Sequence, residues 1–203
     1  MKLPIAADSV KGFLDPAEGA ALYAAARSVA ALGPCLEIGS YCGRSALYLG
    51  TACRDGAGHV FTVDHHRGSE EHQPGWDFHD PALWDPEANA VDTLPVLRDT
   101  LRRAGLEDVV TPIVGRAEIV ARYWRTPLSL VFIDGSHSGE AAHRDYDLWH
   151  PHVMQAGLLV IHDVFPDPAD GGRPPFEIYV RALDSGRFEQ VGLVKILRIL
   201  KRI

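Results

Sequence analysis

Residues 34–45, Pro34-Cys35-Leu36-Glu37-Ile38-Gly39-Ser40-Tyr41-Cys42-Gly43-Arg44-Ser45, decide the fold. Cys35 to Ile38 is short and apolar apart from Glu37, which is the length and character of a buried strand. Glycines at 39 and 43 follow, and a helical pattern from about Arg44 to Ala52 begins at once. Such a strand, turn and helix start leave unpaired amide N–H groups at an edge where a ligand can approach the backbone. An acid at Glu37, beside those donors, suits a cationic or donor-rich ligand better than a pyrophosphate. The dinucleotide fingerprint G-x-G-x-x-G is also broken, because Tyr41 stands where its second glycine belongs.

The same rhythm extends in both directions. Upstream, Ala21, Leu22, Ala25, Val29 and Leu32 recur at helical spacing, with Asp15 as N-cap, Pro16 at the first helical position and Gly33-Pro34 as the stop, so an N-terminal helix is predicted over about 15–32. Downstream, His59 to Val63 reads as a second strand ending on Asp64, Val109 to Val114 as a third, and Leu128 to Ile133 as a fourth, apolar throughout and ending on Asp134. Leu158 to Ile161 forms a fifth, ending on His162-Asp163. Helices are predicted between them, near 91–105, 119–123 and 139–150, with another over 176–183. The last two strands, 188–191 and 193–200, make a hairpin turning at Gly192. Strands alternating with helices predict one α/β domain over 1–203, mostly parallel, with a C-terminal antiparallel hairpin.

Residues 65–90 break that rhythm. The segment is polar and proline-punctuated, yet carries His65, His66, His72, Trp76, Phe78, His79 and Trp84. A loop of this length inside a compact domain is usually functional, and its aromatics argue against disorder. Two readings stand for it: a substrate lid in which Trp76, Phe78 and Trp84 cover an aromatic or sugar ring, with Arg67 and His79 adding polar contacts, or a long loop whose aromatics staple it to the sheet or to a second subunit.

In an open α/β sheet the ligand lies beyond the carboxyl ends of the strands. Those ends read Glu37, Asp64, Asp134 and His162-Asp163, so four strands deliver polar side chains to one edge. Asp64 follows the loop glycines by about 20 residues, the spacing at which an acid reaches a ribose hydroxyl pair, and so favours a nucleoside-containing cofactor. Gly115-Arg116-Ala117, after the third strand, would lie at an adenine edge.

The composition agrees with a globular protein of one core: 203 residues, 46% hydrophobic and 23% charged. A net charge of −7 gives a nucleic-acid backbone no general electrostatic attraction, and no run is long and apolar enough to span a membrane. Cys35, Cys42 and Cys53 form no C-x-x-C pair and read as buried reduced thiols, consistent with a cytoplasmic protein.

With these residues in view, the chain resembles the class I S-adenosylmethionine-dependent methyltransferases, particularly the small bacterial O-methyltransferase-like group. The resemblance is carried by Glu37 to Ser45, by Asp64, by Phe132-Ile133-Asp134-Gly135-Ser136-His137 and by Gly157 to Asp163, and spans roughly 10–200. It implies a Rossmann-like, doubly wound, seven-stranded sheet. It also implies cofactor contacts at Glu37, Gly39, Ser40, Gly43 and Ser45 near the methionine part, and at Asp64 on the ribose. Arg116 stands where the family often has an acid near the adenine. In the metal-dependent O-methyltransferases that the chain resembles, the acid of such an Asp-Gly-Ser-His stretch binds a cation and the histidine is the base. That assigns catalysis to Asp134 and His137 and a divalent metal (Mg, Mn or Zn) to Asp134, His162 and Asp163. His162 replaces an acid of that pattern, and imidazole suits Zn²⁺, Mn²⁺ or Fe²⁺ better than Mg²⁺.

The expected function is S-adenosylmethionine-dependent O-methylation of a small-molecule hydroxyl, in a protein that pairs with neither nucleic acid nor membrane and is a candidate homo-oligomer. The alternatives are an NAD-dependent oxidoreductase, disfavoured by the loop, and a non-catalytic cofactor-binding module, disfavoured by the His and Asp residues at the strand ends.

Overall fold

In this computed structural model, residues 1–135, 139–167, 170 and 172–203 are described. The chain runs α1 (Pro16–Val29), β1 (Cys35–Ile38), α2 (Arg44–Asp55), β2 (Val60–Asp64), a two-residue ribbon of β3 (Trp84–Asp85) and β4 (Ala90–Val91), α3 (Leu94–Ala104), β5 (Val110–Val114), α4 (Ala117–Tyr123), β6 (Leu128–Ile133), α5 (Gly139–Trp149), β7 (Val153–Ile161), α6 (Arg173–Asp184), β8 (Phe188–Val194) and β9 (Leu197–Arg202). Seven strands form one sheet in the order β5-β2-β1-β6-β7-β9-β8, and β3 pairs with β4 apart from it. β5, β2, β1, β6 and β7 are parallel, whereas β9 is antiparallel to β7 and to β8. The predicted doubly wound sheet with a closing hairpin is therefore the observed one. Among the described residues, no helix is long and apolar enough to cross a membrane.

The sheet is covered on both faces, which is why β1 and β6 are buried at every position. Phe132, Leu130 and Cys35 face Leu22 and Ala26 of α1 and Leu47 of α2. Leu36, Val131 and Ile133 face Trp149 of α5 and Ile178 of α6. Close approach of α1 to α2 depends on Gly19, since a Cβ there would lie 2.3 Å from the Tyr48 ring. α1 starts where the sequence places it: Asp15 accepts the Ala17 amide, and Glu18 closes a capping box.

Two boundaries differ most from expectation, while α3 starts at Leu94 instead of about 91 and α6 at Arg173 instead of about 176. β7 begins at Val153 rather than Leu158, but its pairing with β6 jumps from Val153 to Leu158 between Leu128 and Leu130. The regular part of the strand is therefore the apolar run the sequence marks. The terminal hairpin turns at Lys195-Ile196 instead of Gly192, which sits at a register shift inside β8. The turn is fixed from outside the hairpin: Lys195, with φ of 48°, pairs with Asp15, and the Ile196 amide donates to Glu18.

The order of connection reverses between β1 and β6, since the chain runs from β1 outward to β2 and β5 and then returns to β6. A crevice at the carboxyl ends of these two strands is the switch point where ligands bind in such sheets.

Candidate active site

The crevice holds a cavity of about 710 Å³, bordered by Gly39, Asp64, Gly115-Arg116-Ala117 and Asp134-Gly135. Its floor depends on Gly39, whose φ of 92° and tight packing leave no room for a side chain: a Cβ would meet the Asp134 carbonyl oxygen at 2.2 Å. Asp64 organises the loop above. One carboxylate oxygen accepts the Ser40 and Tyr41 amides at 3.0 and 2.9 Å, and the other accepts the His66 amide at 2.8 Å. The amide donors expected to meet a ligand thus meet Asp64 instead. A carboxylate has about four acceptor positions, so Asp64 keeps one for a further donor.

Two predicted cofactor contacts, Glu37 and Gly43, line neither this crevice nor the cavity beside it. Glu37 is fully enclosed below the loop, where Thr62 donates to its carboxyl and Ser40 continues the chain of hydroxyls. Burial, opposed by bonds from Ser45 and Thr62, pushes its pKa from 4.5 up to about 8, so it is a neutral support at pH 7. Gly43 is the N-cap of α2 with φ of 93° and packs against Leu97 and Thr100 of α3, since the loop turns inward there. Neither residue borders the crevice.

The Glu37 shift has a measurable consequence. A carboxyl whose pKa rises on folding favours the native state fully below its unfolded value near 4.5, and that contribution is lost as pH climbs toward about 8. Glu37→Gln is expected to fold normally and to lose less stability than the wild type between pH 5 and pH 8 in urea titrations; equal slopes would show Glu37 already ionised.

A second cavity of about 270 Å³ adjoins the first, sharing Gly39, Tyr41, His72, Asp134 and Gly135. Ser40 and Ser45 border it on the loop side, and Asp134, His162 and Asp163 on the opposite side. Phe13, Tyr41, His72 and Phe78 form its aromatic wall, with ring centroids 5.7 Å apart for Phe13 and Tyr41 and 5.3 Å for Phe13 and Phe78. The 65–90 segment borders the second cavity through Glu71, His72 and Phe78. Trp76 is 53% exposed, while Trp84 packs with Cys42, Leu83 and Val91 as a staple. Both ends of the segment are tied together by His66 Nδ1 and Thr93 Oγ1 at 2.7 Å, and its tip is held by Lys11 and Asp80.

Asp134 and Asp163 do converge, with His162 between them. His162 Nδ1 lies 3.0 Å from Asp134 Oδ1 and 3.2 Å from Asp163 Oδ2. Its Nε2 lies 3.0 Å from Glu18 Oε2 of α1. Burial alone would lower the imidazole pKa, but Asp134, Asp163 and Glu18 outweigh it and push it up to about 12. Glu18 is held below the usual carboxylate range by His162 despite its own burial. Arg116 borders the larger cavity together with Gly115 and Ala117, its side chain 72% exposed and 3.9 Å from Glu118. Asp145, unremarked in the sequence, also borders that cavity, and burial raises its pKa to about 7. The predicted base, His137, lies outside the described residues.

Sequence reasoning missed Phe13, Tyr41 and Glu18. Phe13 precedes the first helix in a stretch without periodicity. Glu18 is legible only as the third residue of a capping box, which says nothing about its reach toward β7.

A nucleoside-sized crevice floored at Gly39 and bordered by the Asp64 carboxylate fits S-adenosylmethionine, whose sulfonium is tolerated among these acids. Residues 36–164 match the family model described as a methyltransferase domain, and the chain belongs to that family, within the class I S-adenosylmethionine-dependent methyltransferases. Similar solved structures include the Podospora anserina methyltransferase PaMTH1 bound to S-adenosylhomocysteine, at 16% identity over 94% of this chain and 80% of that one, with a TM-score of 0.65. The O-methyltransferase of Bacillus cereus in complex with S-adenosylhomocysteine matches at 17% identity over 94% and 83%, with a TM-score of 0.64. An rRNA methylase from Streptococcus thermophilus matches at 13% identity over 95% and 99%, with a TM-score of 0.59. Identities this low establish a shared fold, and the breadth of these relatives leaves the acceptor to be argued from the site.

Proposed function

We propose that the protein transfers a methyl group from S-adenosylmethionine to a hydroxyl of a small molecule, assisted by a divalent cation at Asp134, His162 and Asp163. The observation that carries this reading is the 270 Å³ cavity, which joins the cofactor crevice at Gly39 and Asp134 and sets an aromatic wall opposite two carboxylates. A cavity of that size takes a small acceptor, and a net charge of −7 speaks against a polynucleotide.

The donor set fits a divalent ion. One ligand atom from each of Asp134, His162 and Asp163 lies within 4.8 Å of the others, and two carboxylates with an imidazole suit Mn²⁺, Fe²⁺ or Zn²⁺. Asp134, His162 and Asp163 would hold such an ion, and when bound it would supply Lewis acidity that eases loss of the acceptor proton. The remaining work belongs to the chain. Phe13, Tyr41 and Phe78 exclude water and hold the acceptor, and Asp64 with the Gly39 backbone fixes the donor. The acceptor oxygen then attacks the methyl carbon in line as the carbon–sulfur bond breaks and S-adenosylhomocysteine forms. By its place three residues after Asp134, His137 is the base proposed to take the hydroxyl proton.

The test is transfer of labelled methyl from S-adenosylmethionine to a panel of phenols, catechols and sugars, with chelator and with added Mn²⁺. Methyl ethers are expected, with a rate that falls under chelator and returns with Mn²⁺. A chelator-insensitive rate would remove the metal, and labelled RNA or amine products would contradict the acceptor class.

A further inference from the structure

We propose that Glu18, on the first helix, is a positioning residue for this centre: it holds the Nε2–H of His162 and thereby turns the Nδ1 lone pair toward Asp134 and Asp163. The inference rests on the metal reading above. A glutamate at the third position of a helix ordinarily bonds back to its own cap at the surface. Glu18 does contact the Asp15 amide, at 3.3 Å, but its side chain continues inward and is only 2% exposed. There Oε1 accepts the Ile196 amide at 3.0 Å, and Oε2 faces His162 Nε2 at 3.0 Å.

An ionised carboxylate is an acceptor only, so the nitrogen facing Glu18 must carry hydrogen. In a neutral imidazole the lone pair then falls on Nδ1, the nitrogen 3.0 and 3.2 Å from the two aspartates. A carboxylate behind a ligating histidine fixes the tautomer and ring orientation and raises ligand basicity. The β8–β9 turn supports the arrangement from the other side, because Ile196 occupies one Glu18 oxygen and Lys195 pairs with Asp15 at the helix cap. Metal affinity at β6 and β7 thus depends on a residue from the amino-terminal helix, held by the carboxy-terminal hairpin.

Glu18→Gln leaves one oxygen where two acceptors are needed, so the amide group must face either Ile196 N–H or His162 with a donor. With S-adenosylhomocysteine saturating, Mn²⁺ binding followed by electron paramagnetic resonance is expected to weaken by about 10- to 100-fold in the variant, while affinity for S-adenosylhomocysteine stays unchanged and reports an intact fold. Equal Mn²⁺ affinity in variant and wild type overturns the role of Glu18 alone. Failure of the wild type to bind Mn²⁺ overturns the metal reading and this inference with it. Should the variant not fold, nitrogen-15 spectra of the Zn²⁺-loaded wild type decide: a protonated Nε2 and a metal-shifted Nδ1 on His162 are expected, and the reverse pattern overturns the proposal.

Discussion

Asp134→Ala is expected to lower methyl transfer by about 10³-fold, the effect of losing several kcal/mol of charge stabilisation at the acceptor oxygen, and to leave binding of S-adenosylhomocysteine within about threefold of wild type. The separation follows from the geometry. The Asp134 carboxylate faces His162 and the smaller cavity, whereas its backbone carbonyl packs against Gly39 and is untouched by the substitution. Its side chain is 20% exposed, and His162 retains Asp163 and Glu18. Steady-state rates, metal content and calorimetric titration on the same preparation check all three. Metal content equal to wild type, with the rate unchanged, would exclude Asp134 from the centre.

Gly39→Ala is expected to act on the other half of the site. Two costs coincide there: a φ of 92°, which L residues rarely adopt, and a Cβ placed 2.2 Å from the Asp134 carbonyl oxygen and 2.7 Å from its carbon. Backbone cannot swing aside as a flexible side chain can, so β1 and β6 must separate at their carboxyl ends or the loop must rise. Both movements displace the crevice floor. A destabilisation of about 3 kcal/mol or more is expected in denaturant titration, with affinity for S-adenosylhomocysteine falling more than about tenfold even where the protein folds. By contrast, Gly105 also has positive φ, but a Cβ added there would meet nothing within 4 Å, so substitution carries only the conformational cost.

The sheet is legible in the sequence because its determinants are local. Each parallel strand is a short apolar run bounded by turn residues, and Leu128 to Ile133 is marked to its last residue. Asp15-Pro16 likewise announces the start of α1 by cap chemistry alone. The hairpin turn is misplaced by sequence reasoning because Gly192 carries the local signal, while the turn at Lys195-Ile196 is fixed by Asp15 and Glu18 from the far end of the chain. The site divides the same way. Asp134, His162 and Asp163 are recognisable as strand ends, and parallel strands bring their carboxyl ends together by topology. For Glu37, sequence shows that an acid ends a strand, but not that its side chain is enclosed beneath the loop and borders neither cavity. Glu18 and Phe13 are invisible to such reasoning, because their meaning lies in contacts with β7, the 65–90 segment and the hairpin.

In the proposed mechanism, donor and cation occupy adjoining cavities that meet at Gly39 and Asp134. Anomalous scattering from crystals grown with S-adenosylhomocysteine and Mn²⁺ tests it most directly. The expected result is S-adenosylhomocysteine between Gly39 and Asp64, with a manganese peak bounded by Asp134, Asp163 and Nδ1 of His162. S-adenosylhomocysteine in that crevice with no manganese at the three residues, or manganese bound only elsewhere, would contradict it.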